Sequence, residues 1–283
     1  MLTLRDALTR ATDQLSAHPD LRPTALADAV TLLLHLLQID RASLIAHPER
    51  TLDREQLAAY QRLIERRLTF EPIQYIVGEA EFYGLTLRVT PAVLIPRPET
   101  ELLVEAVIDR LADCSNPRLV DVGTGSGAIA IALAHALPGA SVTALDLSPQ
   151  ALDIARENAR LHHLEARIQF LESDLLAALS CDERYDAVVS NPPYIPDSDA
   201  PTLHPQVRDH EPAQALFAGI QGLDLYQRLI PQALAKLKPA GLLALEIGHG
   251  QRGALGALLA PWNEVEFLED LQQIPRVALA RRP

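Results

Sequence analysis

A chain of 283 residues, 48% hydrophobic and 22% charged, holds enough apolar material for one sizeable core and a smaller satellite domain. Its net charge of −12 argues against a surface built to grip nucleic acid, which ordinarily carries a basic stripe. Apolar runs such as Ala128–Ala134 are far too short to span a bilayer, and Arg5, Asp6 and Arg10 break up the first residues, so a soluble, cytoplasmic protein with no membrane association is expected.

In chain order, Leu4, Leu8, Ala11 and Leu15 recur at helical spacing. Ala25 to Leu37 is a denser apolar run with Pro23 near its start, the pattern of a buried helix. Asp53 with Gln56 reads as a capping box that opens a helix through Leu57, Tyr60, Ile64 and Leu68. No strand pattern precedes Phe70, so residues 1–75 are expected to form a small helical bundle. From Glu79 to Ile95 the pattern changes to alternation at Phe82, Leu85, Leu87 and Val89, broken by Gly84 and Pro91. Residues 76–96 are therefore expected to be a β-hairpin linker.

Pro98–Leu111 reads as a helix, and after Pro117 strands and helices alternate. Strands are expected at Arg118–Val122, Ser141–Leu145, Ile168–Leu171, Tyr185–Ser190 and Gly241–Ile247, with helices at Ser126–Leu137, Pro149–Leu161 and Leu223–Leu237. Val265–Leu268 and Arg276–Ala280 close the chain as strands. Residues 97–283 are thus expected to be an α/β domain, a mainly parallel Rossmann-like sheet with helices on both faces. Cys114 and Cys181 lie far apart and share no ligand spacing with any histidine. Free thiols in a reducing compartment and no metal site are expected.

Between the first strand of this region and its helix stands Asp121-Val-Gly123-Thr124-Gly125-Ser126-Gly127-Ala128. Glycines let the chain turn sharply and let a ligand approach the backbone at a helix N-terminus. Asp146 ends the next strand, where a carboxylate can bind ribose hydroxyls. Gly123-x-Gly125-x-x-Ala128 also satisfies the dinucleotide fingerprint, so the loop alone indicates a nucleoside-containing ligand. Asp121 leans the reading towards S-adenosylmethionine, because a carboxylate suits its cationic methionine end and would repel a pyrophosphate.

Asn191-Pro192-Pro193-Tyr194 follows the fourth strand directly, at the edge where open α/β sheets place their chemistry. Two prolines stiffen the turn and remove two N–H donors. What remains is the Asn191 side-chain oxygen, backbone carbonyls and one aromatic ring, an array that suits a planar NH₂ group. An amide nitrogen gains positive character as it attacks a methyl group, and acceptors fixed on its N–H bonds stabilise that charge. The product sheds its proton afterwards, so no general base is required and no catalytic His or Glu is expected beside the motif.

With both motifs placed, the chain resembles the release-factor glutamine N5-methyltransferases, the PrmC/HemK family. The resemblance runs through Glu71-Pro-Ile-Gln-Tyr75-Ile-Val-Gly78, Glu81-Phe-Tyr-Gly-Leu85, Leu94-Ile-Pro-Arg-Pro-Glu-Thr-Glu101, Asp121–Gly127, Ser190-Asn-Pro-Pro-Tyr-Ile195, Glu211-Pro-x-x-Ala-Leu216 and Leu245-Glu-Ile-Gly248. It implies methyl transfer from S-adenosylmethionine, leaving S-adenosylhomocysteine, to the glutamine of the GGQ motif in class 1 peptide chain release factors, and so a role in translation termination. It further implies that Gly123, Thr124, Gly125, Ser126, Gly127, Asp146 and Asn191 contact the cofactor, with Leu175 beside the adenine. Asn191, Pro192, Pro193 and Tyr194 would hold the glutamine, and the helical domain would help to recognise the release factor. The Ile95–Glu101 segment would help to wall the site.

Two stretches depart from the family pattern. Asp270-Leu-Gln-Gln-Ile-Pro-Arg-Val277 stands where Asp-Leu-Ala-Gly-Arg-Asp-Arg-Val is usual, which puts the final hairpin's geometry in question, and Ile220-Gln221 stands where Gly-Asp is common. Methylation of a ribosomal-protein glutamine is the nearest alternative. Adenine-N6 DNA methylation shares the Asn-Pro-Pro-Tyr motif, but nine Arg/Lys against eleven Asp/Glu in Met1–Ala80 offer it no basic groove.

Overall fold

The computed structural model describes residues 2–283, so Met1, the first residue of the expected bundle, lies outside them. The chain forms two compact units, one of residues 1–79 with 204–210 and one of residues 80–203 with 211–283.

The first unit is helical. It contains α1 (Leu4–Ser16), α2 (Ala25–Leu37), α3 (Arg41–Ala46), α4 (Arg54–Leu68) and α5 (Ile73–Val77). Leu4, Leu15, Leu32, Leu33 and Ile64 are buried together in its core. The Asp53–Gln56 capping box at α4 is formed, and Thr3 with Asp6 makes a second one at α1. A buried ion pair joins Arg67 Nε to Asp28 at 2.8 Å, and Arg67 Nη1 also donates to Gln206, on a helical turn the sequence did not signal.

The second unit begins at Ala80, inside the strand β1 (Glu79–Phe82), which β2 (Leu85–Arg88) follows. Tyr83 and Gly84 between them both have positive φ, 53° and 70°, which fits a two-residue primed turn. The hairpin is shorter than the expected 76–96, for no strand pairing continues past Arg88 among the described residues. Then follow α6 (Thr100–Leu111), β3 (Arg118–Val122), α7 (Ala128–Ala136), β4 (Ser141–Asp146), α8 (Pro149–Leu161), β5 (Ile168–Glu172) and β6 (Tyr185–Ser190). The helix of the first unit that carries Gln206 is α9 (Pro205–His210). It is followed by α10 (Asp224–Lys236), β7 (Leu237–Glu246), α11 (Arg252–Leu258), β8 (Asn263–Glu269) and β9 (Pro275–Arg281). The unexpected α3, α5, α9 and α11 are all too short to show a helical period.

The seven-stranded sheet runs β5-β4-β3-β6-β7-β9-β8. β5 to β7 are parallel, whereas β9 pairs antiparallel with both β7 and β8. Alternate strand residues feed two cores. Leu119, Val142, Ala187, Val189 and Ala244 meet α6 and α7 on one face. Val120, Leu145, Val188, Leu243 and Leu245 meet α10 and α11 on the other. α7 is buried at every position from Ala128 to Ala134, which explains a helix made only of alanine and branched aliphatics there.

The atypical final hairpin does close. Asp270 accepts from the backbone N–H groups of Gln272 and Ile274 and pairs with Arg276 at 2.9 Å, while Gln273 takes the left-handed φ of 61° where the family pattern has glycine. Asn158 of α8, fully buried, is another fixed point. It accepts from Arg88 N at 2.7 Å and donates to Arg88 O and Ser126 O, so it joins the hairpin, α8 and the loop before α7. Asn158→Ala orphans these buried groups and is expected to lower stability by roughly 2–4 kcal/mol. Urea denaturation measures this; an unchanged midpoint would show that other contacts hold the hairpin.

Candidate functional site

The chain order reverses between β3 and β6, which lie side by side with Val122 opposite Ser190. Crevices outside the carboxyl ends of strands at such a switch point are the usual ligand sites of open α/β sheets. Here four neighbouring strand ends, of β4, β3, β6 and β7, carry Asp146, Asp121, Asn191 and Glu246.

Asp121 is fully buried. Its Oδ2 accepts from Thr124 Oγ1 at 2.6 Å and from Ala130 N at 3.2 Å, while its Oδ1 is buried without a partner among the described residues. Burial pushes this carboxyl up to about 7, against those two hydrogen bonds, and the neighbouring Asp146 pushes the same way. Gly123, Gly125 and Gly127 have φ of 72°, 56° and 83°. An added Cβ at Gly123 or Gly125 would meet open space, whereas at Gly127 it would press on Ile131 and Ala155. The first two therefore leave backbone exposed to a ligand and the third lets α7 pack closely. Thr124 and Ser126 are buried. Asp146 accepts from Gly125 N and Ser148 N at 2.8 and 2.9 Å, and burial raises its pKa. Leu175 is buried on the α10 face of the sheet, with a left-handed φ of 52°.

At the end of β6, Ser190 Oγ donates to Val122 O at 2.7 Å, which locks β6 against β3 just before the turn. Asn191 Nδ2 donates to Thr100 Oγ1 at 3.1 Å, and its Oδ1 accepts from no described residue. Thr100 donates to Glu246 Oε2 at 2.6 Å, and Tyr194 OH donates to Glu246 Oε1 at 3.3 Å. Glu246 is thus beside the Asn-Pro-Pro-Tyr motif, bonded to Thr100 and Tyr194. Its burial lifts the carboxyl to about 7, against hydrogen bonds from Thr100 and Tyr194 and the charge of Arg276. The only sequence signal for it was the Leu245-Glu-Ile-Gly248 stretch, an acid at the end of an apolar strand.

The rest of the turn is clamped. Gln251 Nε2 donates to Tyr194 O and Gly222 O at 3.0 and 3.1 Å, and its Oε1 accepts from Gly248 N at 2.9 Å. Buried Glu211 pairs with Arg97 at 2.5 Å and accepts from Ile95 N at 3.3 Å, fixing the segment before α6. Such an arrangement offers a cradle for a nucleoside with a cationic end beside an acceptor for an N–H group.

The chain matches the family model described as the PrmC N-terminal domain over residues 6–78 and that of the methyltransferase small domain over residues 98–205. It is 43% identical to the release factor glutamine methyltransferase of Koribacter versatilis, covering 100% of this chain and 99% of that one. It is 44% identical to the protein of the same description from Moorella thermoacetica, over 99% of each. Among solved structures, a T. thermophilus 16S rRNA methyltransferase in complex with AdoMet and guanosine has the same fold, at a TM-score of 0.56 and 23% identity over 72% of this chain and 50% of that one.

The buried Glu246 gives stability a definite pH dependence. Its folded pKa of about 7 exceeds the ordinary 4.5, so between those values the folded protein keeps a proton that the unfolded chain has released. Its contribution is complete below the lower value and is lost as pH rises through the upper one, at about 1.4 kcal/mol per pH unit. Denaturation midpoints from pH 5 to 8 should therefore fall more steeply in the wild type than in Glu246→Gln; parallel profiles would contradict this.

Proposed function

The chain belongs to the release factor glutamine methyltransferases, and we propose that its strand-end cleft carries methyl transfer from S-adenosylmethionine to the side-chain N5 of the GGQ glutamine in class 1 release factors. It is an S-adenosylmethionine-dependent methyltransferase acting on release factor glutamine. The observation that carries the finer reading is the pairing of two chemistries at neighbouring strand ends: the buried Asp121 carboxyl, with one oxygen lacking a partner among the described residues, and the Asn191 amide oxygen, which accepts from no described residue, just past the adjacent strand.

The cradle suits this cofactor. Asp121 Oδ1 would take the ammonium of the methionine end, Gly123 to Gly127 would line it closely, Asp146 would bind the ribose, and the turn at Leu175 would lie beside the adenine. A pyrophosphate would face the charges of Asp121 and Asp146. When bound, S-adenosylmethionine supplies the methyl group and leaves as S-adenosylhomocysteine. Asn191 Oδ1 and the carbonyls of the proline turn would accept from the glutamine NH₂, and Tyr194 would flank its plane. These residues aim the nitrogen lone pair along the line of attack and favour the positive charge that grows on it. The surplus proton then leaves to water. The helical unit would help to recognise the release factor in the cytoplasm.

Tritiated cofactor offered separately with release factor, a ribosomal-protein mixture and DNA tests the substrate. Label is expected on release factor alone, lost when its GGQ glutamine is replaced. Label on ribosomal protein or DNA instead would overturn the assignment. Asn191→Ala should lower kcat on release factor by on the order of 10²–10³, the effect of losing one preorganised contact, with a smaller change in cofactor affinity.

Cofactor binding also has a pH signature. Only the ionised Asp121 attracts an ammonium, and its pKa in the free protein is about 7. Below that value a proton competes, so affinity should weaken by up to about tenfold per pH unit towards acid. Calorimetry between pH 5.5 and 7.5 reads this slope, which should flatten in Asp121→Asn; an equal slope in the variant would remove Asp121 from the ammonium site.

A further inference from the structure

A side-chain amide has an oxygen that only accepts and a nitrogen that only donates. Which of the two Asn191 turns to a bound glutamine decides whether the glutamine NH₂ meets an acceptor or a second donor. Thr100 makes that decision. Its hydroxyl has a single hydrogen, which the ionised Glu246 accepts on Oε2 at 2.6 Å, the length of a charge-assisted O–H···O⁻ contact. With its hydrogen committed, Thr100 Oγ1 can only accept, and its partner is Asn191 Nδ2 at 3.1 Å. Asn191 Oδ1 is left as the branch of the amide without a described partner.

The end of the chain is firmly held. Thr100 and Glu246 are 4% and 2% exposed, so solvent does not compete for these bonds. Tyr194 OH donates to the other carboxylate oxygen; burial and Glu99 favour the protonated form of Glu246, while the bonds from Thr100 and Tyr194 and the charge of Arg276 favour the ionised one. Tyr226, from α10, spends its hydroxyl on the Glu246 backbone carbonyl at 2.8 Å rather than on the carboxylate.

We propose that Thr100 and Glu246 are positioning residues that fix the Asn191 amide through a one-way series of donors, Asn191 to Thr100 to Glu246, so that an oxygen faces the substrate NH₂. The inference rests on the reading that this cleft holds a glutamine amide. The residues come from three separate elements, the start of α6 and the ends of β6 and β7, and Thr100 lies 146 positions from Glu246.

Thr100→Val keeps the shape and removes the hydroxyl. Its kcat on release factor should fall by about 10- to 100-fold, the scale of a misplaced reacting group, with cofactor affinity unchanged, and Thr100→Ser should recover most of the loss. Glu246→Gln reverses the series: a Gln NH₂ can donate to Thr100, whose hydrogen is then free to turn to Asn191 Oδ1. It should lower kcat as Thr100→Val does, and it carries the same test should that variant not fold. Wild-type kcat in Thr100→Val or Glu246→Gln, or equal loss in Thr100→Val and Thr100→Ser, would overturn the proposal.

A second readout needs no substrate. The ¹⁵N side-chain NH₂ signals of Asn191, assigned by their loss in Asn191→Asp, should move in Thr100→Val and stay in Thr100→Ser. Unmoved signals in Thr100→Val would refute the series whatever the enzyme methylates. Moved signals in a protein that leaves release factor unlabelled would support the series and overturn the substrate instead.

Discussion

Two carboxylates buried at strand ends organise this molecule. Asp121, one residue before the end of β3, and Glu246, the last residue of β7, lie on either side of β6, and neither has an ion-pair partner among the described residues. Taking an unpaired carboxylate out of water costs several kcal/mol, which hydrogen bonds offset only in part. A fold selected for stability alone would place apolar residues there. Each acid instead fixes its neighbours: Asp121 holds Thr124 and the first turn of α7, and Glu246 holds Thr100 and Tyr194. The sheet sets the two on either side of Asn191 because β6, which Asn191 follows, runs parallel between β3 and β7.

Rigidity around that tip has several independent sources. Ser190 is tied to β3, Gln251 ties the carbonyls of Tyr194 and Gly222 to Gly248, and Pro192 and Pro193 remove torsional freedom between them. On the far wall, Glu211 anchors both Arg97 and the backbone of Ile95. Preorganisation of this kind matters most where a weak nucleophile must be aimed, because alignment then supplies much of the barrier reduction.

What the sequence revealed and what it hid divide along sequence distance. The places of the glycine loop between β3 and α7, of Asp146 at the end of β4 and of the Asn-Pro-Pro-Tyr turn after β6 were legible because each is fixed by a pattern within a few residues. The parallel sheet was legible from alternating apolar strands and helices. Glu246, Thr100 and Asn158 were not assigned roles, since each acts through a partner at least 32 positions away, and a lone polar residue inside an apolar run does not announce its partner. The final hairpin was open to question because Gln273 replaces a glycine, and the compensation lies in the Asp270 carboxylate, which collects two backbone N–H groups and Arg276. Short helices such as α5 and α11 escaped for want of length.

The order of the last two strands carries a kinetic consequence. β8 is synthesised before β9, yet within the sheet its one neighbour is β9, which lies between it and β7. β8 has no strand to pair with until β9 has docked, and until then β7, which bears Glu246, presents an unsatisfied edge. The end of the sheet that bears Glu246 is therefore completed only when the later-made β9 has docked, in a protein whose relatives are named for modifying release factors.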